Sequence, residues 1–455
     1  MIKIMPLGGT NEIGASCIYL NVDGTGLLLD CGVHPKKKGL DSLPNFDLLR
    51  ELPLDYVFIS HAHQDHIGGL PVLIKRFPHV MIYTTPQTQE IANLTLHNSV
   101  SILEKEFDDQ SLILYTHDEI DMLVKSIIAV DYDDEIELKG MRHKSLEPLI
   151  VKFYDAGHIL GSASILIRYK QKSYFYTGDI KTSPQQLLNG AKLPNYFFDT
   201  LITETTYGSV PSKSIPELKD EKKRFAKAVN KILGKGGSVL IPVFALGKTQ
   251  ELLAIIFSLI KKGELMEVPI YTGGIGPKIS RIYDKNRFKV NVRDKNFEIG
   301  EIPQEEIYEI NDATHFNRKP GIILAASGMM IEGTTSYKLA KHWLRQKEFG
   351  IFFAGYIDPD SPAFKISSAA KNEKIKLSEF SEPVEVKCAI DKFSFPSHSN
   401  RNEIFTLVKK YKPKQVILVH GENSSRDWFG FNILKEYPDI KVYAPDIGSE
   451  IRIES

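Results

Sequence analysis

The chain has 455 residues, long for one domain and comfortable for two. Its 42% hydrophobic and 25% charged residues are those of an ordinary globular protein, and 32 glycines with 24 prolines exclude a collagen-like or low-complexity chain. The 57 basic and 57 acidic residues cancel, but residues 209–390 hold 29 Lys/Arg against 22 Asp/Glu, a net +7 matched by −7 elsewhere.

No apolar run reaches the ~18–20 residues that a membrane span needs. The N-terminus shows no export signal, and three cysteines (Cys17, Cys31, Cys388) make no disulfide framework, so a cytoplasmic protein without membrane contact is expected.

In chain order, Ile2–Leu7, Ser16–Val22 and Gly26–Leu29 read as strands, with Asp23-Gly24 as a hairpin turn. Then follow a strand at Tyr56–Ser60, a helix at Ile67–Arg76, a strand at Met81–Thr84 and a helix at Pro86–Glu106. Residues 104–137 are acidic and read as partly helical, and strands return at Leu149–Phe153, Ala163–Tyr169 and Ser173–Tyr176. The middle of the chain has its own alternation. Ser238–Pro242, Pro269–Tyr271, Gly321–Ala326 and Gly350–Ala354 are short strands, and Thr249–Lys262 carries a helical apolar stripe. That alternation implies a parallel sheet flanked by helices. A β-type run at Val384–Ile390, a helix at Glu403–Tyr411 and a strand at Gln415–Val419 complete the chain. The expected class is α/β, with residues 209–390 inserted between a first part, 1–208, and its continuation, 391–455.

The chemistry concentrates in Ser60-His61-Ala62-His63-Gln64-Asp65-His66, three histidines and an aspartate in six positions after a predicted strand. Imidazole with carboxylate suits zinc or a neighbouring borderline metal. In a tight loop His61 and His63 face one way and Asp65 and His66 another, so one loop can feed two metals. Further candidates sit at strand ends, where active sites are assembled. These are His158 between glycines, Asp179 in Thr177-Gly178-Asp179, and His420 in Val419-His420-Gly421-Glu422. A carboxylate such as Asp179 is able to bridge two cations.

These residues, with Asp30 in Leu29-Asp30-Cys31-Gly32, resemble the metallo-β-lactamase fold. The likeness then narrows to the β-CASP nucleases. Thr203-Glu204-Thr205-Thr206-Tyr207-Gly208 resembles their motif A, Phe393-Ser394-Phe395-Pro396-Ser397-His398 motif B, and Val419-His420-Gly421-Glu422 motif C. The segments Ile241–Lys248 and Ala325–Met330 are similar to parts of the inserted domain. The match is nearest to the endonuclease subunit of the cleavage and polyadenylation specificity factor and its short bacterial relatives, and more distant from RNase J.

The resemblance implies an αββα sandwich carrying an inserted β-CASP domain. It implies one metal on His61, His63 and His158, a second on Asp65, His66 and His420, and Asp179 between them. Asp30 would order the loop from behind. Zinc is the default for this donor set, and manganese could fill the same geometry. It further implies His398 as general acid, held by Glu204, with Asp65 needed for catalysis and Lys248 and Ser327 near the substrate. Lys248 stands where arginine is common, and Asn400 where aspartate is. The histidine at motif C accompanies RNA substrates. The expected activity is two-metal hydrolysis of single-stranded RNA, endonucleolytic, leaving a 5′ phosphate and a 3′ hydroxyl. A 5′-to-3′ exonuclease, a DNA nuclease and a catalytically silent RNA-processing subunit are the other readings. A homodimer or RNA-processing partner proteins belong to the same expectation.

Overall fold

The computed structural model describes residues 2–106, 113–141, 147–307, 315–379 and 381–453. Two seven-stranded sheets face each other. The first runs, in spatial order, through Ile451–Ile453, Ile2–Gly8, Cys17–Val22, Thr25–Leu29, Tyr56–Phe58, Met81–Thr84 and Ile127–Ala129. The second runs through Lys441–Tyr443, Gln415–Val419, Thr200–Glu204, Lys172–Tyr176, Ala163–Tyr169, Leu149–Asp155 and Glu135–Leu138.

Side-chain alternation decides what each face covers. Ile18, Leu20, Val22, Leu27 and Leu29 point between the sheets, where they meet Val151, Phe153, Ile165, Ile167 and Ile202. Their neighbours Cys17, Tyr19 and Leu28 point outward against helices that include Ile67, Leu70, Ile91 and Leu96. On the far side, Leu166, Phe175, Leu201 and Val416 are covered by Ile404, Leu407, Phe429 and Ile433. The layers are therefore helix, sheet, sheet, helix. Phe153 is fully buried between the sheets, and truncating such a side chain costs about 3–5 kcal/mol.

The chain leaves the second sheet after Glu204 and builds a separate six-stranded sheet, in order Glu305–Glu306, Ile270–Thr272, Ile322–Ala325, Val239–Pro242, Gly350–Phe353 and Ala389–Lys392. Every strand pair in it is parallel. Helices Leu218–Leu233, Lys248–Lys261 and Gly276–Asn286 cover one face, while Tyr337, Trp343 and Ile366 pack on the other. The chain then returns through Phe393–Ser399 to pair Gln415–Val419 with Thr200–Glu204.

Most expected elements appear where the pattern put them, with four differences. The stretch expected as one helix at 67–76 is two, Gln64–Ile67 and Leu70–Arg76. Gly68 and Gly69 lie between, and a Cβ on Gly69 would meet the Gly32 carbonyl oxygen at 2.7 Å. Among its described residues the acidic stretch holds the end of helix Pro86–Glu106 and a helix at His117–Ser126, the latter started by a Thr116–Glu119 capping box. It also holds strands Ile127–Ala129 and Glu135–Leu138, which sit at the edges of the two sheets. Residues 107–112 of that stretch lie outside the described residues. The run at 384–390 is split, since Val384–Glu385 pairs with Lys374–Ile375 while Ala389–Lys392 joins the six-stranded sheet. Helices Leu218–Leu233 and Gly276–Asn286 were not singled out from the pattern at all.

Candidate metal centre

Seven side chains from four segments converge at one end of the sandwich. His61, His63, His158 and Asp179 bring one ligand atom each within 4.8 Å of one another, as do Asp65, His66 and His420. Asp179 faces both sets. Its Oδ2 lies 3.5 Å from His61 Nε2 and 3.8 Å from His158 Nε2. Its Oδ1 lies 3.4 Å from His66 Nε2 and 3.5 Å from His420 Nε2. Donor bonds of about 2.1 Å in a tetrahedron put donors roughly 3.4 Å apart, so these separations have the size of the edges around a cation.

The hydrogen bonds behind the ligands fix which nitrogen of each ring is bare. His66 Nδ1 donates to Asp30 Oδ2 at 2.8 Å, and His158 Nδ1 donates to the Ser397 carbonyl at 2.9 Å. Ser60 Oγ gives its proton to Asp30 Oδ2 at 2.7 Å, so it accepts from His61 Nδ1 at 3.0 Å. His63 Nε2 faces the Leu246 carbonyl at 3.5 Å, and His420 Nδ1 faces Ser16 Oγ at 2.8 Å. Carbonyls and carboxylates only accept, so in each neutral ring the opposite nitrogen carries the lone pair. His61 Nε2 and His158 Nε2 then approach His63 Nδ1 at 3.0 and 3.2 Å, lone pair to lone pair. A cation resolves that arrangement and a hydrogen bond does not. Likewise His66 Nε2 and Asp179 Oδ1 are buried and make no hydrogen bond among the described residues. The donor set fits divalent metal.

Electrostatics divides the site. Burial holds the His61 and His158 imidazoles well below their usual range, which keeps them neutral and able to ligate. Burial works against the charged form of His66 as well, but Asp179, Asp65 and Asp30 outweigh it and hold that ring well above the usual range. Burial alone would raise the Asp179 carboxyl. The charges of His420, His66 and His398 instead hold it well below the usual carboxylate range.

Asp30 anchors the whole loop. It is fully buried, and its carboxylate accepts from Ser60 N at 2.6 Å and from Tyr176 OH at 2.7 Å, besides Ser60 Oγ and His66. Glycines permit the close approach. A Cβ on Gly32 would lie 1.7 Å from the Asp65 carbonyl oxygen, and one on Gly421 would lie 2.3 Å from Thr205 Oγ1.

Beside the centre stands a third group. His398 Nδ1 lies 3.0 and 3.2 Å from the two carboxylate oxygens of Glu204, and 3.9 Å from Asp179 Oδ2. Glu204 Oε1 also accepts from Ile180 N at 2.6 Å. Burial opposes a charge on His398, but Glu204 and then Asp179 prevail and raise it above the usual range. The site opens towards solvent on this side, where the His398 and Asp65 side chains keep 17% and 23% exposure. A cavity of about 610 Å³ lies next to it, lined among others by Tyr207, Arg224, Tyr356, Lys392, Phe393 and Glu422.

Lys248 is half-buried and donates its Nζ to the Phe395 carbonyl, tying the insertion to the segment that carries His398. Ser327 Oγ accepts from Ile331 N at 3.2 Å and its carbonyl accepts from Ser336 Oγ at 2.7 Å. Asn400 caps helix Arg401–Tyr411, accepting from Asn402 N at 2.9 Å and Glu403 N at 3.2 Å, as an aspartate would. The sequence pattern did not point to Ser16, Ser60, Tyr176 or Gln185. Gln185 Nε2 donates to the Gly157 and His158 carbonyls at 2.8 Å. Ser60 and Tyr176 adjoin the ligand motifs, so proximity to them is a signal. Ser16 lies 404 positions from His420 and has none.

Three family models match the chain: the metallo-beta-lactamase superfamily domain over residues 19–206, the Beta-Casp domain over 249–366, and the Zn-dependent metallo-hydrolase RNA specificity domain over 383–445. An RNase J-like protein of Methanocaldococcus jannaschii is 30% identical over 100% of both chains. The chain belongs to the metallo-β-lactamase/β-CASP family of metal-dependent nucleases. Cleavage and polyadenylation specificity factor 73 of Drosophila melanogaster is 31% identical over 98% of this chain, which spans 64% of that protein, under two thirds. Integrator complex subunit 11 of Gallus gallus is 29% identical over 99% of this chain and 74% of its own. A crystal structure of a protein of unknown function from Enterococcus faecalis V583 aligns over 99% of each chain with a TM-score of 0.55 at 14% identity, a likeness of fold alone. Among the described residues no helix is long and apolar enough to cross a membrane.

Proposed function

We propose that this chain is a two-metal ribonuclease that hydrolyses single-stranded RNA internally, leaving a 5′ phosphate and a 3′ hydroxyl. The observation that carries the reading is the Asp179 carboxylate, with one oxygen towards His61 and His158 and the other towards His66 and His420. On this reading His61, His63, His158 and Asp179 hold one ion, and Asp65, His66, His420 and Asp179 the other. Zinc suits the donors, and manganese is the alternative. When bound, two such cations neutralise charge building on a phosphate and make a water acidic enough to attack near neutral pH.

The chain's own groups supply the rest. His398, donating through Nδ1 to Glu204, keeps Nε2 for delivering a proton to the leaving 3′ oxygen. Glu204 stabilises the protonated ring and fixes its orientation. The cavity beside His398 would receive the strand, between the sandwich and the insertion. We assign residues 1–208 and 391–455 to the sandwich part and 209–390 to the insertion. The RNA specificity domain and the RNase J-like relative support RNA as the substrate, and the relative that is a subunit of a complex supports partner proteins. Three buried, unpaired cysteines support a reducing, cytoplasmic setting.

The test is cleavage by metal-loaded protein of matched single-stranded RNA and DNA, each with a 5′ phosphate or a 5′ hydroxyl, with Asp65→Ala as control. Internal RNA fragments that ignore the 5′ end and vanish in the variant are expected. Mononucleotides released only from phosphorylated ends would make the protein an exonuclease. Equal cutting of DNA would remove the RNA assignment.

A further inference from the structure

Helix Leu218–Leu233 carries a row of lysines that no part of the fold uses. Lys219, Lys223, Lys227 and Lys231 recur every fourth residue and are all exposed. At 1.5 Å rise per residue the row spans about 18 Å. None of the four pairs with a carboxylate among the described residues, whereas Lys222 and Arg224 of the same helix do have partners. The opposite face, with Phe225, Ala226, Val229 and Leu233, is buried. The exposed arc holds one acid, Asp220, and no large apolar side chain. That composition suits a flexible polyanion and offers nothing to seat in a bilayer.

Position says which polyanion. Arg224 follows Lys223 and lines the cavity beside His398 together with Lys392. The Arg224 guanidinium is committed to Glu221 at 2.7 Å and Asp391 at 3.0 Å, and stacks 4.0 Å from the Phe393 ring. It thus braces the cavity lip and leaves Lys392, exposed, as the charge there. From Lys392 the chain runs along the cavity wall through Phe393, Ser394 and Phe395, three residues before His398. Pro216 and Glu221 line the same cavity, so the N-terminal half of the helix borders the cleft and the lysine row leads from there away to Lys231.

We propose that the exposed face of helix Leu218–Leu233 is a track for the RNA backbone outside the cleft, gripping phosphates beyond the one that is cut. The proposal rests on the ribonuclease reading and names the surface that holds the rest of the strand. Because lysine contacts phosphate as a point charge, the track is blind to sequence.

The experiment compares the metal-loaded wild type with K219Q/K223Q/K227Q/K231Q. A control variant, K409Q/K410Q/K412Q/K435Q, removes four exposed lysines elsewhere. Binding is read by fluorescence anisotropy over a salt series, on a long single-stranded RNA and on one only long enough to fill the cleft. The track variant should bind the long RNA at least roughly tenfold more weakly at low salt. Its log-log salt slope should be shallower by about 0.7 for each lysine in contact. The control should match the wild type. Unchanged long-RNA binding would overturn the proposal and leave the row to an acidic protein partner. An equal loss on both RNAs would also overturn it, since the defect would then lie in the cleft. If the lysine dependence holds but the wild type cuts no RNA, the track stands and the ribonuclease reading falls.

Discussion

Glu204 and His398 meet across the junction of the two parts of the fold, with both carboxylate oxygens within 3.2 Å of one imidazole nitrogen. Glu204 is almost wholly buried at the end of strand Thr200–Glu204, and His398 lies on the segment returning from the insertion. A buried carboxylate aimed at a ring that keeps partial exposure favours the charged imidazolium. As the proposed proton donor, His398 works below its raised pKa, so turnover should fall as pH rises through that value. Glu204→Gln removes the largest influence raising it, and the alkaline limb should move to lower pH. His398→Ala should lose about 10²–10⁴-fold in kcat while keeping its metal. Metal analysis together with a pH–rate profile checks both, and an unmoved alkaline limb in Glu204→Gln would remove Glu204 from this role.

Asp179 turns one oxygen to each of the two candidate ligand sets. Asp179→Asn keeps the shape but turns one oxygen into an amide that points hydrogens at bare imidazole nitrogens. Metal content should drop from about two ions per chain to one or fewer, and activity should fall by more than ~100-fold. Elemental analysis of the purified variant decides the point. Two retained ions would show that the histidines and Asp65 suffice.

Gly32 tests the loop rather than the ligands. Its missing Cβ leaves room for the backbone of Asp65 and His66, whose nearest atoms would lie 1.7 and 2.6 Å from that carbon. These are backbone atoms, so no side-chain rotation relieves the clash. Gly32→Ala should cost about 1–3 kcal/mol or more in stability. It should also abolish the rise in melting temperature that added zinc gives the wild type. Thermal unfolding with and without zinc measures both effects, and a zinc-induced rise of wild-type size would contradict the account.

The local parts of this architecture are legible in the sequence. Period-two alternation marks the strands, so Ala163–Tyr169 and Gln415–Val419 fall where the pattern puts them. Helix Pro86–Glu106 does too, because its start is set by a proline at its first position. The seven residues of the centre stand in short motifs next to strand ends, and the fold brings all seven together. What the pattern hides is tertiary. Helix Leu218–Leu233 is so rich in lysine that its buried stripe of Phe225, Val229 and Ile232 is diluted. Strand Ile127–Ala129 has three residues, too few for a period, and exists because Met81–Thr84 offers it an edge. The Ser16–His420 contact is fixed by the pairing of distant strands and has no sequence signal.

Lys248 offers a measurement that needs no substrate. Burial lowers its ammonium to about 8, against the attraction of Glu251, because the side chain turns inward to the Phe395 carbonyl. An unfolded lysine titrates near 10.4. Between about 8 and that value the unfolded chain therefore holds more protons than the folded one. Stability from this residue is then fully present above the unfolded value and is lost as pH falls through about 8. Lys248→Met keeps much of the volume and removes the titration. The stability difference between wild type and Lys248→Met should therefore shift in favour of the wild type as pH rises from about 8 to 10. Urea unfolding of both proteins across that range tests it, and a difference independent of pH would mean that Lys248 keeps an ordinary pKa.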